Sequence, residues 1–215
     1  MKKIIFCALL ALIASCKNQS PHTPFNAADG TLPPAEAREL KAETPEEVAY
    51  WTVENLAAAV RDERLEAAYP ELTVKEDEWI FGEGTTQRKV KILNSGTDDE
   101  ILISYDNGAP FEIHFGKLGR WRTKHPIYIG LPIEELNKIN EKPVAFAGFG
   151  WDYSGLVGFQ DGAINKEHYS IFVAPNYKNF NEKDAYEFMG SGFFDSNNPN
   201  VEKLYLYVSS ITYKF

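Results

Sequence analysis

Apolar residues are spaced in two different ways along the chain, and each spacing predicts a different kind of element. Val48, Trp51, Leu56, Ala59 and Val60 recur at helical intervals with charged residues between them, which predicts an amphipathic helix. The helical pattern continues over residues 63–69, and a proline follows its end.

A capping box marks the start of this helix. Thr44 suits the N-cap, Pro45 suits the first helical position, and Glu47 can reach back to the N-cap backbone. The folded part of the chain is therefore predicted to begin at Thr44.

Beyond residue 70 the pattern is typical of short antiparallel strands. Runs rich in Ile, Val and aromatic residues alternate with turn-formers, and Asn107-Gly108 accepts positive φ at both central positions of a tight hairpin. Strands are predicted at residues 78–81, 88–93, 100–105 and 111–115, and, after a short helix at 132–139, near 144–149, 156–159, 169–174 and 203–213.

This order predicts an α+β fold with N-terminal helices followed by an antiparallel meander. The second helix and its strands suggest a distant duplication of one helix-plus-meander unit. Residues 44–215 suit one domain, or two subdomains, 44–125 and 126–215, that share a sheet. The last strand places Leu204, Leu206 and Val208 on an aliphatic face opposite tyrosines, a pattern that continues to Phe215.

The N-terminus has the order of a secretory signal peptide, predicted to span residues 1–15. Two lysines precede an apolar run at residues 4–13, which is too short to cross a bilayer as a mature helix. Ile13-Ala14-Ser15-Cys16 resembles the lipobox of bacterial lipoproteins. The resemblance implies cleavage before Cys16, a diacylglycerol thioether on its sulfur and acylation of its new amine. The alternative is an ordinary secretory signal with a chance cysteine.

Residues 16–43 are predicted to form a lipid-anchored, flexible tether, because they contain four prolines and few large apolar residues. Lys17 stands where an aspartate would resemble the inner-membrane retention signal of enterobacteria. This difference favours the outer membrane over the inner membrane.

Charge and cysteine content narrow the classes of partner. Without residues 1–15 the chain has 20 Lys and Arg against 31 Asp and Glu, a net charge of −11. A protein with this negative net charge is a poor candidate for binding nucleic acid, whose phosphates are also negative. The lipid on Cys16 would hold the protein at the membrane. Cys7 leaves with the signal peptide and Cys16 carries the lipid, so the mature chain has no thiol for a disulfide or a zinc site.

The most unusual string is Gly148-Phe149-Gly150-Trp151-Asp152-Tyr153-Ser154-Gly155, which has neither dinucleotide-binding nor phosphate-loop spacing. Its aromatic residues either pack on their own sheet or form an exposed platform of Trp151, Asp152 and Tyr153 for a sugar or a protein. Together with residues 129–137, this string resembles a segment of uncharacterised bacterial envelope proteins. Gly130, followed by the helix that contains Glu134-Glu135-Leu136, is also similar to the start of the SmpA/OmlA and β-lactamase-inhibitor-like folds. The resemblance implies a protein-binding unit and carries no catalytic residue across.

A basic run, residues 117–125, contains Arg120, Trp121 and Arg122 and no acidic residue. It forms either a solvated loop or an anion site in which Trp121 stacks a guanidinium.

Catalytic patterns are weak. Ser154, Asp152 and His168 have the residue types of a triad but lack a nucleophile elbow. The histidines lack metal-ligand spacing, and the polar loop 195–200 lacks EF-hand spacing, so no cofactor and no metal are predicted. The first hypothesis is a non-enzymatic, lipid-anchored protein-binding or assembly module of the bacterial envelope. The alternatives are a small-molecule or glycan-binding lipoprotein that uses the aromatic string, and a hydrolase whose carboxylates meet only in the fold.

Overall fold

A computed structural model describes residues 44–82, 84–164, 166–176, 178 and 181–215. The helices are α1 (Pro45–Tyr50), α2 (Val53–Arg61), α3 (Leu65–Ala68), α4 (Ile133–Asn140) and α5 (Glu182–Ala185). The strands are β1 (Val74–Phe81), β2 (Thr86–Leu93), β3 (Ile101–Asp106), β4 (Ala109–Phe115), β5 (Ala145–Ala147), β6 (Val157–Gly158), β7 (Tyr169–Ala174), β8 (Phe193–Asp195) and β9 (Tyr207–Lys214). Helices come first and antiparallel strands follow, so the predicted α+β class is confirmed.

The predicted capping box is present at the start of α1. The Thr44 hydroxyl accepts a hydrogen bond from the Glu47 N–H at 3.2 Å, and the Glu47 carboxylate accepts one from the Thr44 N–H at 2.8 Å. The predicted helix is interrupted at Thr52, where the backbone pairs with Arg122 instead. This break separates α1 from α2.

Six strands form one antiparallel sheet in the order β1-β2-β3-β4-β9-β7. The β3–β4 connection is the predicted tight hairpin, with φ of 49° at Asn107 and 85° at Gly108. The largest core cluster covers one face of this sheet and includes Leu56 and Val60 of α2 together with Ile103 and Ile113. A small second cluster of Val90, Ile92 and Leu102 lies in the same sheet.

The second half of the chain does not repeat the first. β7 and β9 join the sheet of β1–β4, whereas β5, β6 and β8 form a separate three-stranded sheet in the order β6-β5-β8. The duplication suggested by the sequence is therefore not reproduced in the topology. The physical reason is a pairing between distant strands: β9 pairs with β4, with Tyr213 opposite Ile113, so strands of both halves share one sheet.

The predicted signal peptide (1–15), the lipidation site Cys16 and the tether (16–43) lie outside the described residues. Across the ranges that the structure covers, no helix is both long and apolar enough to span a membrane.

Candidate functional site

The loop of residues 148–155, here called the aromatic loop, connects β5 to β6 and is held by its own backbone. The Ser154 N–H donates to the Trp151 carbonyl at 2.9 Å, and the Trp151 N–H donates to the Ser154 hydroxyl at 2.9 Å. The Gly155 N–H donates to the Ala147 carbonyl at 2.9 Å, which closes the base of the loop. These bonds fix the turn without any side chain of Trp151 or Tyr153.

Glycines let other backbone segments approach this loop. A Cβ on Gly148 would lie 2.3 Å from the Gly190 carbonyl oxygen, and one on Gly155 would lie 1.9 Å from that of Val173. Gly155 also has a φ of +75°, which favours glycine. The unusual glycine spacing is therefore a requirement of packing on both sides of the loop.

The aromatic residues of the loop divide between the core and the surface. Phe149 is buried and stacks on Phe146, with ring centroids 5.6 Å apart. Trp151 is 63% exposed and Tyr153 is 69% exposed, and Asp152 between them is also exposed. The sequence left open whether these aromatic residues are exposed to a partner or packed on their own sheet. Trp151 and Tyr153 are exposed, and Phe149 is packed.

Met189 extends the exposed surface. A Cβ on Gly150 would lie 2.7 Å from the Met189 methyl group, so this side chain rests against the loop backbone beside Trp151. Met189 is itself 48% exposed. We call Trp151, Asp152, Tyr153 and Met189 the aromatic surface. No sequence pattern indicates Met189 here, because its place depends on the pairing of Phe149 with Met189 across 40 residues of chain.

Arg120 of the basic run binds within the protein. Its guanidinium donates two hydrogen bonds to one oxygen of Asp99, at 2.9 and 2.7 Å, and lies 3.6 Å from the ring centroid of Trp51. Lys117 of the same run forms an ion pair with Glu100 at 3.0 Å. These cations therefore have internal carboxylate partners.

Trp121 and Arg122 are buried, at 2% and 6% exposure. The Trp121 indole N–H donates to the Asp99 carbonyl at 3.0 Å, and the Arg122 Nε–H donates to the Arg120 carbonyl at 3.2 Å. The stacked guanidinium predicted in this run is present, but it belongs to Arg120 and lies on Trp51. Trp121 is inaccessible to an external ligand, because it packs edge-on against Trp51 in the core.

The other sequence candidates have structural contacts. Ser154 bonds to the Trp151 backbone, whereas the His168 ring faces the Lys214 carbonyl and stacks on Tyr213. These described contacts do not assemble Ser154, Asp152 and His168 into a triad. In loop 195–200, side-chain oxygens of Asp195 and Asn198 accept hydrogen bonds from nearby backbone N–H groups. Among the described residues, His, Cys, Asp and Glu form no cluster suited to a metal ion.

One row of polar side chains escaped the sequence analysis because it depends on strand register. Thr212 Oγ1 lies 2.8 Å from His114 Nδ1, and His114 Nε2 lies 3.2 Å from Glu112 Oε2. Burial acts to raise the pKa of Glu112, but His114, Lys214 and Arg88 outweigh it and lower that pKa. The strands β4 and β9 that carry the row pair with each other through their backbones.

A carboxylate on α2 joins three elements. Glu54 accepts a hydrogen bond from the Tyr169 hydroxyl of β7, and each of its oxygens lies 3.0 Å from the Lys124 backbone nitrogen. Burial raises the pKa of the Tyr169 phenol, and the hydrogen bond and charge of Glu54 raise it further. Tyr169 is therefore a neutral hydrogen-bond donor over the ordinary pH range.

Comparisons with known proteins identify no family. No family model matches the chain, and no curated protein matches it. Among solved structures, it is similar to the uncharacterized protein yfeY from Escherichia coli, with a TM-score of 0.39 and 14% identity over 70% of this chain and 88% of that chain. A likeness this weak carries no argument about fold or function.

Proposed function

We propose that the chain is a lipid-anchored protein of the bacterial envelope whose folded part binds another protein through the aromatic surface, without catalysis. The observation that carries the proposal is the exposure of Trp151 and Tyr153, at 63% and 69%, on a loop whose backbone is fixed. Trp and Tyr are the residues most enriched among those that dominate binding energy at protein interfaces.

The rigidity of the loop supports binding. Ordering a mobile loop costs free energy at the moment of association, whereas a turn closed by Ser154 and Gly155 is already ordered. Trp and Tyr add large contact area at a low cost in side-chain entropy, and Met189 beside them adds an adaptable apolar group. These properties favour a partner with a complementary apolar surface and a donor for Asp152.

The internal contacts of the basic run argue against the anion-binding alternative. A ligand that used Arg120 would have to displace Asp99 from a two-bond contact and leave the Trp51 ring uncovered. Arg122 is buried beneath the same segment. A small anionic ligand at this run is therefore less favoured than a protein at the aromatic surface.

The membrane part of the proposal rests on the sequence alone. The signal peptide and Cys16 supply the anchor, the proline-rich residues 17–43 supply reach, and Lys17 favours the outer membrane. We expect Cys16→Ser to abolish incorporation of labelled palmitate and to block cleavage before residue 16, which leaves a precursor of higher mass. Retention of label in Cys16→Ser would contradict lipidation at this residue.

Affinity capture tests the binding part. The tagged, lipidated chain is recovered from its own envelope in mild detergent, and any candidate partner is then purified and titrated against the full-length protein. We expect Trp151→Ala or Tyr153→Ala to weaken binding by roughly tenfold or more, as for dominant interface aromatics.

Ile80 gives a matched control because it is 46% exposed on β1, the opposite edge of the large sheet from β7. Ile80→Ala should leave the affinity unchanged. Equal affinities for wild type, Trp151→Ala and Tyr153→Ala, with melting temperatures also equal, would exclude the aromatic surface as the binding site.

A further inference from the structure

The three-stranded sheet carries a groove that is separate from the aromatic surface. It has a volume of about 400 Å³ and lies at the end of β5, with Lys142 and Gln160 on one side and Phe193 and Asp195 on the other. The groove is open to solvent on one side, so a bound ligand would keep one face exposed.

Ala145 of β5 is one of the residues that line the groove. Ala145 on β5 pairs with Gly158 on β6 and with Asp195 on β8. A Cβ on Gly158 would lie 3.6 Å from a ring carbon of Phe193, so this ring leans across the narrow β5 strand towards β6.

Phe193 supplies an apolar wall. It is 59% exposed, although its neighbour Phe194 turns inward and contacts Phe146 and Phe188. Both phenylalanines border the groove, but Phe194 packs largely against the core whereas Phe193 leaves more than half of its side chain exposed. An exposed aromatic ring at the edge of a groove can stack against a flat, partly apolar ligand.

The polar groups of the groove favour a neutral ligand. Lys142 and Asp195 have opposite charges that cancel. The Lys142 ammonium donates to the Asp161 carbonyl at 3.1 Å, and one Asp195 oxygen accepts from the Asn197 N–H at 2.8 Å. The second Asp195 oxygen can accept, and the Gln160 amide can donate and accept.

We propose that this groove binds a neutral oligosaccharide, with one sugar ring stacked on Phe193 and its hydroxyls bonded to Asp195 and Gln160. Sugars present a C–H face to an aromatic ring and hydroxyls that both donate and accept at their edges. A ring wall, an uncharged balance and mixed donors and acceptors in one groove match that chemistry.

Isothermal titration calorimetry of the full-length protein in detergent tests the proposal, with cellotetraose and chitotetraose as probes. We expect saturable binding of at least one probe. Phe193→Ala should weaken it roughly tenfold or more, and Gln160→Ala should weaken it less. Phe193→Tyr keeps the ring and should keep the affinity, which separates stacking from a folding defect.

Ile80→Ala is the control, because it removes an exposed apolar side chain on β1, outside the groove, and should leave the sugar affinity unchanged. Absence of saturable heat with both sugars would overturn the proposal. So would equal affinity in wild type and a folded Phe193→Ala variant, or binding of a zwitterionic dipeptide in place of both sugars. None of these results bears on protein binding at the aromatic surface.

Discussion

At the residue scale, the absence of a side chain at Gly155 lets the backbone of the aromatic loop lie close to β5 and β7. Gly155 follows the exposed turn, and its N–H and carbonyl bond to Ala147 on one side and Val173 on the other. Because no side chain separates these backbones, the aromatic loop is anchored to the core while its tip stays exposed.

We expect Gly155→Ala to lower the free energy of unfolding by about 3 kcal/mol or more, since it combines a positive φ with a 1.9 Å approach to the Val173 carbonyl oxygen. Gly96 is the control: its φ is +84°, but a Cβ there meets nothing within 4 Å. Gly96→Ala should cost only about 1 kcal/mol. Urea denaturation measures both, and equal losses would show that the close approach to Val173 does not restrict this position.

Arg120 provides a second test at this scale. Arg120→Ala removes a half-exposed contact with Asp99 and the stack on Trp51, so we expect a loss of about 1 kcal/mol in stability. Lys124→Ala removes a charge from the same run, but the contact of Lys124 with Glu54 is made by the Lys124 backbone N–H. Its melting temperature should match wild type. If Arg120→Ala melts at the same temperature as wild type, the contacts of Arg120 do not stabilise the fold, and the residue belongs to a solvated loop.

Glu112 should give the protein a pH-dependent stability. Its pKa is lower in the folded state, so its carboxylate stabilises the fold at pH values above its ordinary pKa, and this contribution is lost as the pH falls through the folded pKa. Glu112→Gln should therefore be less stable than wild type by about 1–2 kcal/mol near neutral pH. The gap should narrow once the pH falls below about 4.3.

Denaturation at several pH values measures that gap. The control is Glu76→Gln, because Glu76 is 76% exposed and 3.6 Å from Lys91; exposed pairs contribute about 0–1 kcal/mol. A gap for Glu112→Gln that stays constant or widens in acid would contradict the lowered pKa.

Contacts between residues close in sequence could be predicted, whereas contacts between residues distant in sequence could not. The Thr44 capping box and the Asn107-Gly108 turn form within three or four residues, so the sequence contains all of their determinants. Arg120 and Asp99 are 21 residues apart, and nothing in the pattern around Arg120 indicates that carboxylate. The anion-site hypothesis was reasonable for an isolated run, but it omitted the internal partner.

Secondary-structure elements show how α2 is attached to the far end of the large sheet. Glu54 contacts both the Lys124 backbone and Tyr169, and β7, which carries Tyr169, is the last strand of that sheet. Since Glu54 and Tyr169 are 115 residues apart, their contact holds together segments from the two halves of the chain.

A double-mutant cycle tests this attachment. We expect Glu54→Ala to cost about 2 kcal/mol and Tyr169→Phe about 1 kcal/mol, with a coupling free energy of roughly 0.5–1 kcal/mol between them. Tyr205, which is 53% exposed, supplies the control, since Tyr205→Phe should add to Glu54→Ala without coupling. Additive effects of Glu54→Ala and Tyr169→Phe would show that the hydrogen bond does not join these elements.

The last strand shows a limit to predicting element boundaries from sequence. Alternation predicted a strand from residue 203, but residues Val201–Leu204 form a 3₁₀ helix and Tyr205 has a φ of 48°, so β9 begins at Tyr207. A register shift next to Val208 lets Val208 and Ile211 both enter the core although they are three residues apart. The alternation of inward-facing residues shifts by one position here, but a β-bulge can be assigned only when the partner strand is known.

At the scale of the whole molecule, the described residues combine a six-stranded structural sheet with a three-stranded sheet that presents surfaces. The six-stranded sheet joins both halves of the chain through β4 and β9, which local patterns cannot predict because the pairing is distant in sequence. The three-stranded sheet carries the aromatic loop on one connection and the Phe193 groove at its end. The unusual string 148–155 indicated the first surface, whereas the groove required the positions of three separate segments.

Site-specific photocrosslinking in living cells tests protein binding most directly. A photoreactive phenylalanine derivative, which keeps an aromatic ring at the substituted position, replaces Trp151 or, as the control, Ile80 on the opposite edge of the large sheet. We expect a discrete protein adduct from position 151 that is absent from position 80. Adducts of equal yield from both positions, or none from position 151 at wild-type protein levels, would contradict binding through the aromatic surface.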